Sequence, residues 1–180
     1  MSRDPVTERA RRVRLLLLDV DGVLTDGGIF FLPDGDGGLM ESKVFDVTDG
    51  AGIALARRAG LVTGIISGRT SPVVTARASE LGIGEVHQGV RDKAQVLGRI
   101  VETRGIPPAE IAFAGDDVVD VPVMRRVGFP VAVQNAPDEV RAHAAYVTAA
   151  RGGRGAVREI VELILKAQGK WEGLVREFLV

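Results

Sequence analysis

Three aspartates fall within eight residues, Asp19, Asp21 and Asp26, at the end of the most apolar run of the chain, LLLLDVDGVLTD. Carboxylates there offer a nucleophile, a proton donor or ligands for a cation. Further groups of the same kind follow: Ser67, Gly68 and Arg69 in IISGR, Lys93 in RDK, and Asp116, Asp117 and Asp120 in GDDVVD. Carboxylates gathered in one crevice repel each other and raise each other's pKa unless a cation neutralises them. A hard, oxygen-loving ion such as Mg²⁺ suits such a set, and Mn²⁺ or Co²⁺ would substitute because oxygen-rich sites discriminate weakly. Metal, lysine, hydroxyl and a glycine-containing turn with free N–H groups are what binds a phosphoryl group in flight.

These groups need a scaffold that delivers them to one edge. Continuous, β-branched or leucine-rich runs at 13–20, 61–67, 85–87, 111–115, 131–133 and 146–148 read as strands buried on both faces. Helical patterns at 50–59, 72–81, 93–104, 121–127, 138–144 and 156–168 separate and follow them. Ser71 before Pro72, and Asp120 before Pro122, fit helix starts; Gly60, Gly82 and Gly105 fit stops. The alternation predicts an α/β, three-layer, Rossmann-like parallel sheet with right-handed crossovers, whose strand ends carry the polar clusters.

One segment breaks the pattern. Residues 27–45 hold two strand-like runs around Asp34, Gly35, Asp36, Gly37 and Gly38, a β-hairpin inserted after the first strand. Its Ile29, Phe30, Phe31 and Leu32 either fold back on their own domain or wait for a partner surface.

The 180 residues suit one domain, 1–180, with the first dozen residues read as a flexible leader. A net charge of −1 from scattered acids and bases leaves no footprint for nucleic acid or anionic lipid. No cysteine occurs, which excludes disulfides and thiolate metal sites, and no apolar run suggests a membrane span or secretory signal. A cytoplasmic protein acting on a small molecule is expected. Asp26 reads as a turn former, His87 and His143 as residues without an acidic partner, and Trp171 as packing for a C-terminal helix.

DVDGVLTD resembles the first motif of the haloacid dehalogenase superfamily in its phosphatase form. IISGR, Lys93 and GDDVVD resemble the second, third and fourth, in order and at strand ends. The resemblance implies that Asp19 is a nucleophile forming an aspartyl-phosphate and Asp21 a general acid and base. It places Mg²⁺ on Asp19, Asp116 and the main-chain carbonyl of Asp21, with Ser67 and Lys93 on the phosphoryl oxygens. Asp117 and Asp120 then orient Lys93 or metal-bound water.

The short hairpin leaves no room for a cap domain. FDVTDGAGI, HQGVRDK, VGFPVAV and GGRGAVREIVELILKAQG further resemble the 3-deoxy-D-manno-octulosonate 8-phosphate (KDO 8-phosphate) phosphatases of lipopolysaccharide precursor synthesis. That resemblance implies a homotetramer with hairpins at its centre and a neighbouring subunit over each active site. It also implies sugar contacts from the loop Asp46, Val47, Thr48, Asp49 and Gly50, from Gly68, Arg69 and Arg77, and from Arg154 toward its own or a neighbour's site. The chain departs from the family's pattern at Thr48 and Ala54, where basic residues are usual. A nonulosonate 9-phosphate is the competing substrate, a non-catalytic oligomerisation module the rival from another class, and a phosphoryl-transferring mutase a third.

Overall fold

The computed structural model describes residues 4–179. Four consecutive leucines form strand β1 (Leu15–Leu18), and all four are fully buried. Since successive strand residues point to opposite faces, burial of all four requires cover on both sides of the sheet. Each such leucine contributes about 1.5–3 kcal/mol relative to exposure, which fixes β1 at the centre.

The remaining strands of the main sheet are β4 (Val62–Ile66), β5 (Glu85–His87), β6 (Ile111–Gly115), β7 (Phe129–Ala132) and β8 (Tyr146–Val147). They pair in parallel in the order β5-β4-β1-β6-β7-β8. From β1 the chain proceeds to β4 and β5 on one side, then crosses to β6 on the other. The strand order therefore reverses beside β1, where open α/β sheets bind ligands.

Helices α1 (Pro5–Arg11), α2 (Val47–Arg58) and α7 (Ala156–Ala167) pack together, with α8 (Trp171–Arg176) on α7. Helix α3 (Pro72–Leu81) contacts α2, while α4 (Lys93–Arg104) contacts α5 (Val121–Met124), and α6 (Asp138–Arg141) lies by β7. The alternation, the Rossmann-like class and the absence of an inserted cap agree with expectation. Element ends differ: the fifth strand begins at Phe129, and the helices after Asp120 and Asp138 stop three residues early.

Two expectations need correction. The leader is ordered from Asp4, whose carboxylate accepts the N–H groups of Val6 and Thr7 to cap α1, and Ala10 of that helix is buried in the core. Residues 1–3 lie outside the described residues. His87 does have an acidic partner, since its Nε2 lies 2.9 Å from Glu85 Oε2. Glu85 and His87 flank one residue of β5 and so share a face, a period-2 relation that a search for catalytic or metal spacing overlooks. Trp171 does pack at the C-terminal helix, under Arg158 and Lys166.

The inserted segment is an antiparallel ribbon of β2 (Phe30–Pro33) and β3 (Leu39–Ser42), separate from the main sheet. Asp34 accepts the N–H groups of Asp36 and Gly38 to close its turn, and a bridge between Thr25 and Phe45 closes its base. Phe30 and Phe31 point to opposite faces, yet they are 53% and 57% exposed. The ribbon does not fold back on its own domain.

Candidate active site

Four strand ends deliver the site. Asp19 follows β1 and its N–H bonds the Ala114 carbonyl, so the carboxylate emerges beside the end of β6, which leads into Asp116. Ser67 directly follows β4 and is buried, its Oγ accepting the Arg69 N–H at 3.4 Å. Lys93 opens α4, where Asp92 caps the helix by accepting the Gln95 N–H. Its ammonium lies 2.9 Å from Asp19 Oδ1 and 2.7 Å from Asp120 Oδ1.

Asp120 is fully buried and uses both oxygens: Oδ1 holds Lys93, and Oδ2 accepts the N–H groups of Asp116 and Asp117. It thus fixes the lysine and the loop after β6 at once. Asp117 does not share that task, because it is exposed and its Oδ1 caps the 3-10 turn Val118–Asp120 through the Val118 N–H.

Oxygens of Asp19, Asp116 and Asp120 lie within 4.8 Å of one another. With Asp120 occupied, Asp19 and Asp116 are the side chains left for a cation. Asp116 Oδ1 is buried without a hydrogen-bond partner among the described residues, which leaves a desolvated anionic oxygen facing the cluster. The other Asp116 oxygen lies against Gly22, where an added Cβ would meet it at 1.9 Å and where φ is 91°. Glycine there lets the backbone after Asp21 approach the carboxylate. The donor set fits a hard divalent ion.

The electrostatics agree. Burial, then the charge of Asp120, push Asp19 up to about 6 against the opposing pull of Lys93. Asp116 is pushed up to about 7 by burial and by Asp19, Asp120 and Asp117. Burial alone would lower Lys93, but Asp19 and Asp120 outweigh it and its pKa is raised.

The sugar-contact residues divide. The expected loop at 46–50 is the first turn of α2: Asp46 caps it by accepting the N–H groups of Thr48 and Asp49, and Val47 is exposed. Asp49 is not presented to a ligand. It is buried, its oxygens accept the N–H groups of Gly155 and Arg158 and so cap α7 from α2, and burial pushes it up to about 6. Arg77 packs over Gly50, donates to the Asp46 carbonyl and pairs with Glu80.

Gly68 and Arg69 are exposed beside Ser67, with Arg69 Nε 3.7 Å from Asp21 Oδ2. Arg154 pairs with Asp26 at 3.1 Å, while Asp26 also accepts the Gly28 N–H as a turn former. Those two residues, with Asn135, Arg151 and Gly152, line a cavity of about 300 Å³.

Sequence reasoning missed Lys43, Asn135 and Arg151. Lys43 pairs with Asp21, and Asn135 accepts the Gly152 N–H at 2.7 Å while its amide donates to the Gly22 carbonyl. Only the tertiary fold brings these segments together, and no local spacing signals it.

A family model of haloacid dehalogenase-like hydrolases matches residues 62–160. A 3-deoxy-D-manno-octulosonate 8-phosphate phosphatase of Yersinia pestis is 43% identical over 170 residues, 94% of this chain and 89% of that relative. The chain belongs to the haloacid dehalogenase-like hydrolases, in the branch of the KDO 8-phosphate phosphatases.

This hydrolase superimposes on the Moraxella catarrhalis phosphatase, solved with a magnesium ion, a phosphate ion and a KDO molecule, with a TM-score of 0.93. The two are 37% identical, and the match covers 98% of this chain and 99% of that one. The cobalt-bound Haemophilus influenzae phosphatase matches with a TM-score of 0.87 and 33% identity over 96% of this hydrolase and 99% of its own chain. No helix among the described residues is long and apolar enough to cross a membrane.

The raised carboxylates predict how stability varies with pH. Asp19, Asp49 and Asp116 all lie above their ordinary 3.8, so between about pH 4 and 7 the folded chain binds more protons than the unfolded one. Their contribution is fully present below about pH 4 and is lost as the pH rises through 6 and 7. Asp46 and Glu162 are lowered instead, so their contribution has the opposite sign: it is present above their ordinary 3.8 and 4.5 and is lost as the pH falls. In chelator, Tm is expected to fall by several degrees from pH 5 to pH 8, and excess Mg²⁺ at pH 8 to restore it. A Tm that neither falls with pH nor rises with the ion contradicts this electrostatic account.

Proposed function

We propose that this chain is a divalent-metal-dependent phosphatase that hydrolyses KDO 8-phosphate to KDO and phosphate, in lipopolysaccharide precursor synthesis. The observation that carries the reading is the unpartnered, buried Asp116 oxygen beside Asp19 and Lys93 at the reversal of strand order. The likeness to the Moraxella catarrhalis enzyme with its bound ions and sugar acid supports the substrate.

In this reading an Asp19 oxygen attacks phosphorus as the bond from phosphorus to the sugar oxygen breaks, and the proton of Asp21 goes to that leaving oxygen. Water then attacks the aspartyl-phosphate, Asp21 takes its proton, and the bond from Asp19 to phosphorus breaks. Lys93 and Ser67 hold the phosphoryl oxygens, and Asp120 keeps the ammonium in place. Bound Mg²⁺, with Mn²⁺ or Co²⁺ as substitutes, supplies the positive charge that lets an anionic carboxylate approach an anionic phosphoryl group. Asp19, Asp116 and the main-chain carbonyl of Asp21 would hold it.

Gly68, Arg69 and Arg154 contact the sugar acid in this reading, as arginine's planar fork suits a carboxylate. Arg77, behind the first turn of α2, sets the position of Asp46, Val47 and Thr48. The protein acts as a homotetramer in the cytoplasm. The exposed apolar ribbon supports the assembly, and the cysteine-free composition suits a reducing compartment.

Phosphate release from a panel of sugar phosphates, with Mg²⁺ and with chelator, tests the reading. Metal-dependent release preferring KDO 8-phosphate is expected. Preference for a nonulosonate 9-phosphate overturns the substrate; no release from any ester, by a folded protein, overturns the activity.

A further inference from the structure

Lys43 lies where the inserted ribbon returns to the main domain, one residue beyond β3. Its side chain is 0% exposed, and its ammonium bonds Asp21 Oδ1 and lies 3.1 Å from Glu41 Oε1. A buried ammonium is costly unless paired, and Glu41 alone would pair it. The extension to a third group, on the loop after β1, is what a purely structural ion pair leaves unexplained.

We propose that Lys43 is a positioning residue that aims the Asp21 carboxylate at the leaving oxygen. The proposal rests on the reading of Asp21 as the acid and base of the reaction. Asp21 is 23% exposed at its side chain, so water competes for its oxygens and several rotamers are open to it. Its other neighbour, Arg69, is 49% exposed and 3.7 Å away, a weak restraint in water. The buried ammonium is the restraint that solvent does not loosen.

Glu41 completes the device. With its counter-charge on the ammonium, the Lys43–Glu41 pair presents Asp21 with an N–H donor from a unit of zero net charge. The proton delivered to the leaving oxygen is that of Asp21. A general acid misaimed by an ångström loses much of its effect, because transfer requires hydrogen-bond reach in the transition state.

The test compares the first turnover of two esters, before the water-activating step that Asp21 serves for both. The sugar oxygen of KDO 8-phosphate needs a proton to leave, whereas p-nitrophenolate leaves without one. Lys43→Met is expected to lower the first-turnover rate of KDO release by about tenfold to a hundredfold, a fraction of what acid–base catalysis supplies, with the half-saturating concentration within about twofold. The rate with p-nitrophenyl phosphate stays within about threefold, and Lys43→Arg recovers most of the sugar phosphate rate. If Lys43→Met yields no folded protein, Lys43→Gln takes its place and the same comparison decides.

Equal losses with both esters, or no loss with either, overturn the proposal. Asp21→Asn is measured alongside. If it too slows the first turnover of both esters equally, the reading of Asp21 as the acid fails. If it spares p-nitrophenyl phosphate while the Lys43 variant does not, only the proposal for Lys43 fails.

Discussion

Asp19→Asn is expected to reduce turnover of every phosphate ester by at least about a thousandfold while leaving a folded protein, because the amide removes the charge and with it the nucleophilicity of the attacking oxygen. The fold should tolerate the change. Lys93 keeps Asp120 at 2.7 Å, so no buried charge is orphaned, and one of the mutually repelling carboxylates disappears. Turnover with saturating Mg²⁺ and a thermal melt of the same sample check the two halves together. Retention of more than about a tenth of the wild-type rate would move the nucleophile elsewhere, and a collapsed melt would show that Asp19 holds the fold as well as the reaction.

A second large effect is expected at the ribbon. Phe30, Phe31, Leu32, Leu39 and Met40 are exposed on a two-stranded sheet that makes no pair with the main one. Such a ribbon is marginal alone, and each of these side chains contributes about 1.5–3 kcal/mol when another surface covers it. In sedimentation the wild type is expected at four times the chain mass. Phe31→Asp combined with Leu32→Asp, one charge on each face, is expected to bring it to one chain mass. Wild type at a single chain mass, or an unchanged assembly in the variant, contradicts the tetramer. The substitutions lie outside β1, β4 and β6, so the phosphate-binding groups should remain in place.

Much of the fold was legible because parallel strands buried on both faces have a composition of their own. LLLL, VTGII and IAFAG read directly as strands, and Ser71–Pro72 marked a helix start to the residue. The chemistry-bearing carboxylates were legible because they sit at strand ends, where spacing along the chain and position in space agree. What stayed hidden depends on contacts between distant segments. Asp49 is assigned to the substrate by family resemblance alone, yet its oxygens cap a helix more than a hundred residues away. Lys43 carries no local signal in the sequence; only the ribbon's return to the main domain places it against Asp21. The leader looked flexible because it is charged, although an Asp–Pro helix start was written in it.

The loop after β1 is shaped from far along the chain. Gly153 donates to the Val23 carbonyl at 2.8 Å, and Gly152 approaches the Gly22 carbonyl so closely that an added Cβ would meet it at 1.6 Å. During synthesis the ribosome therefore delivers Asp19, Ser67, Lys93 and Asp116 well before the clasp that sets the shape of the loop between them. A nascent chain that has passed residue 116 carries every reacting group, yet it must reach residues 152 and 153 before it has the means to align them. Hydrolysis in this sense waits on the arrival of Gly152 and Gly153, withheld by chain order alone.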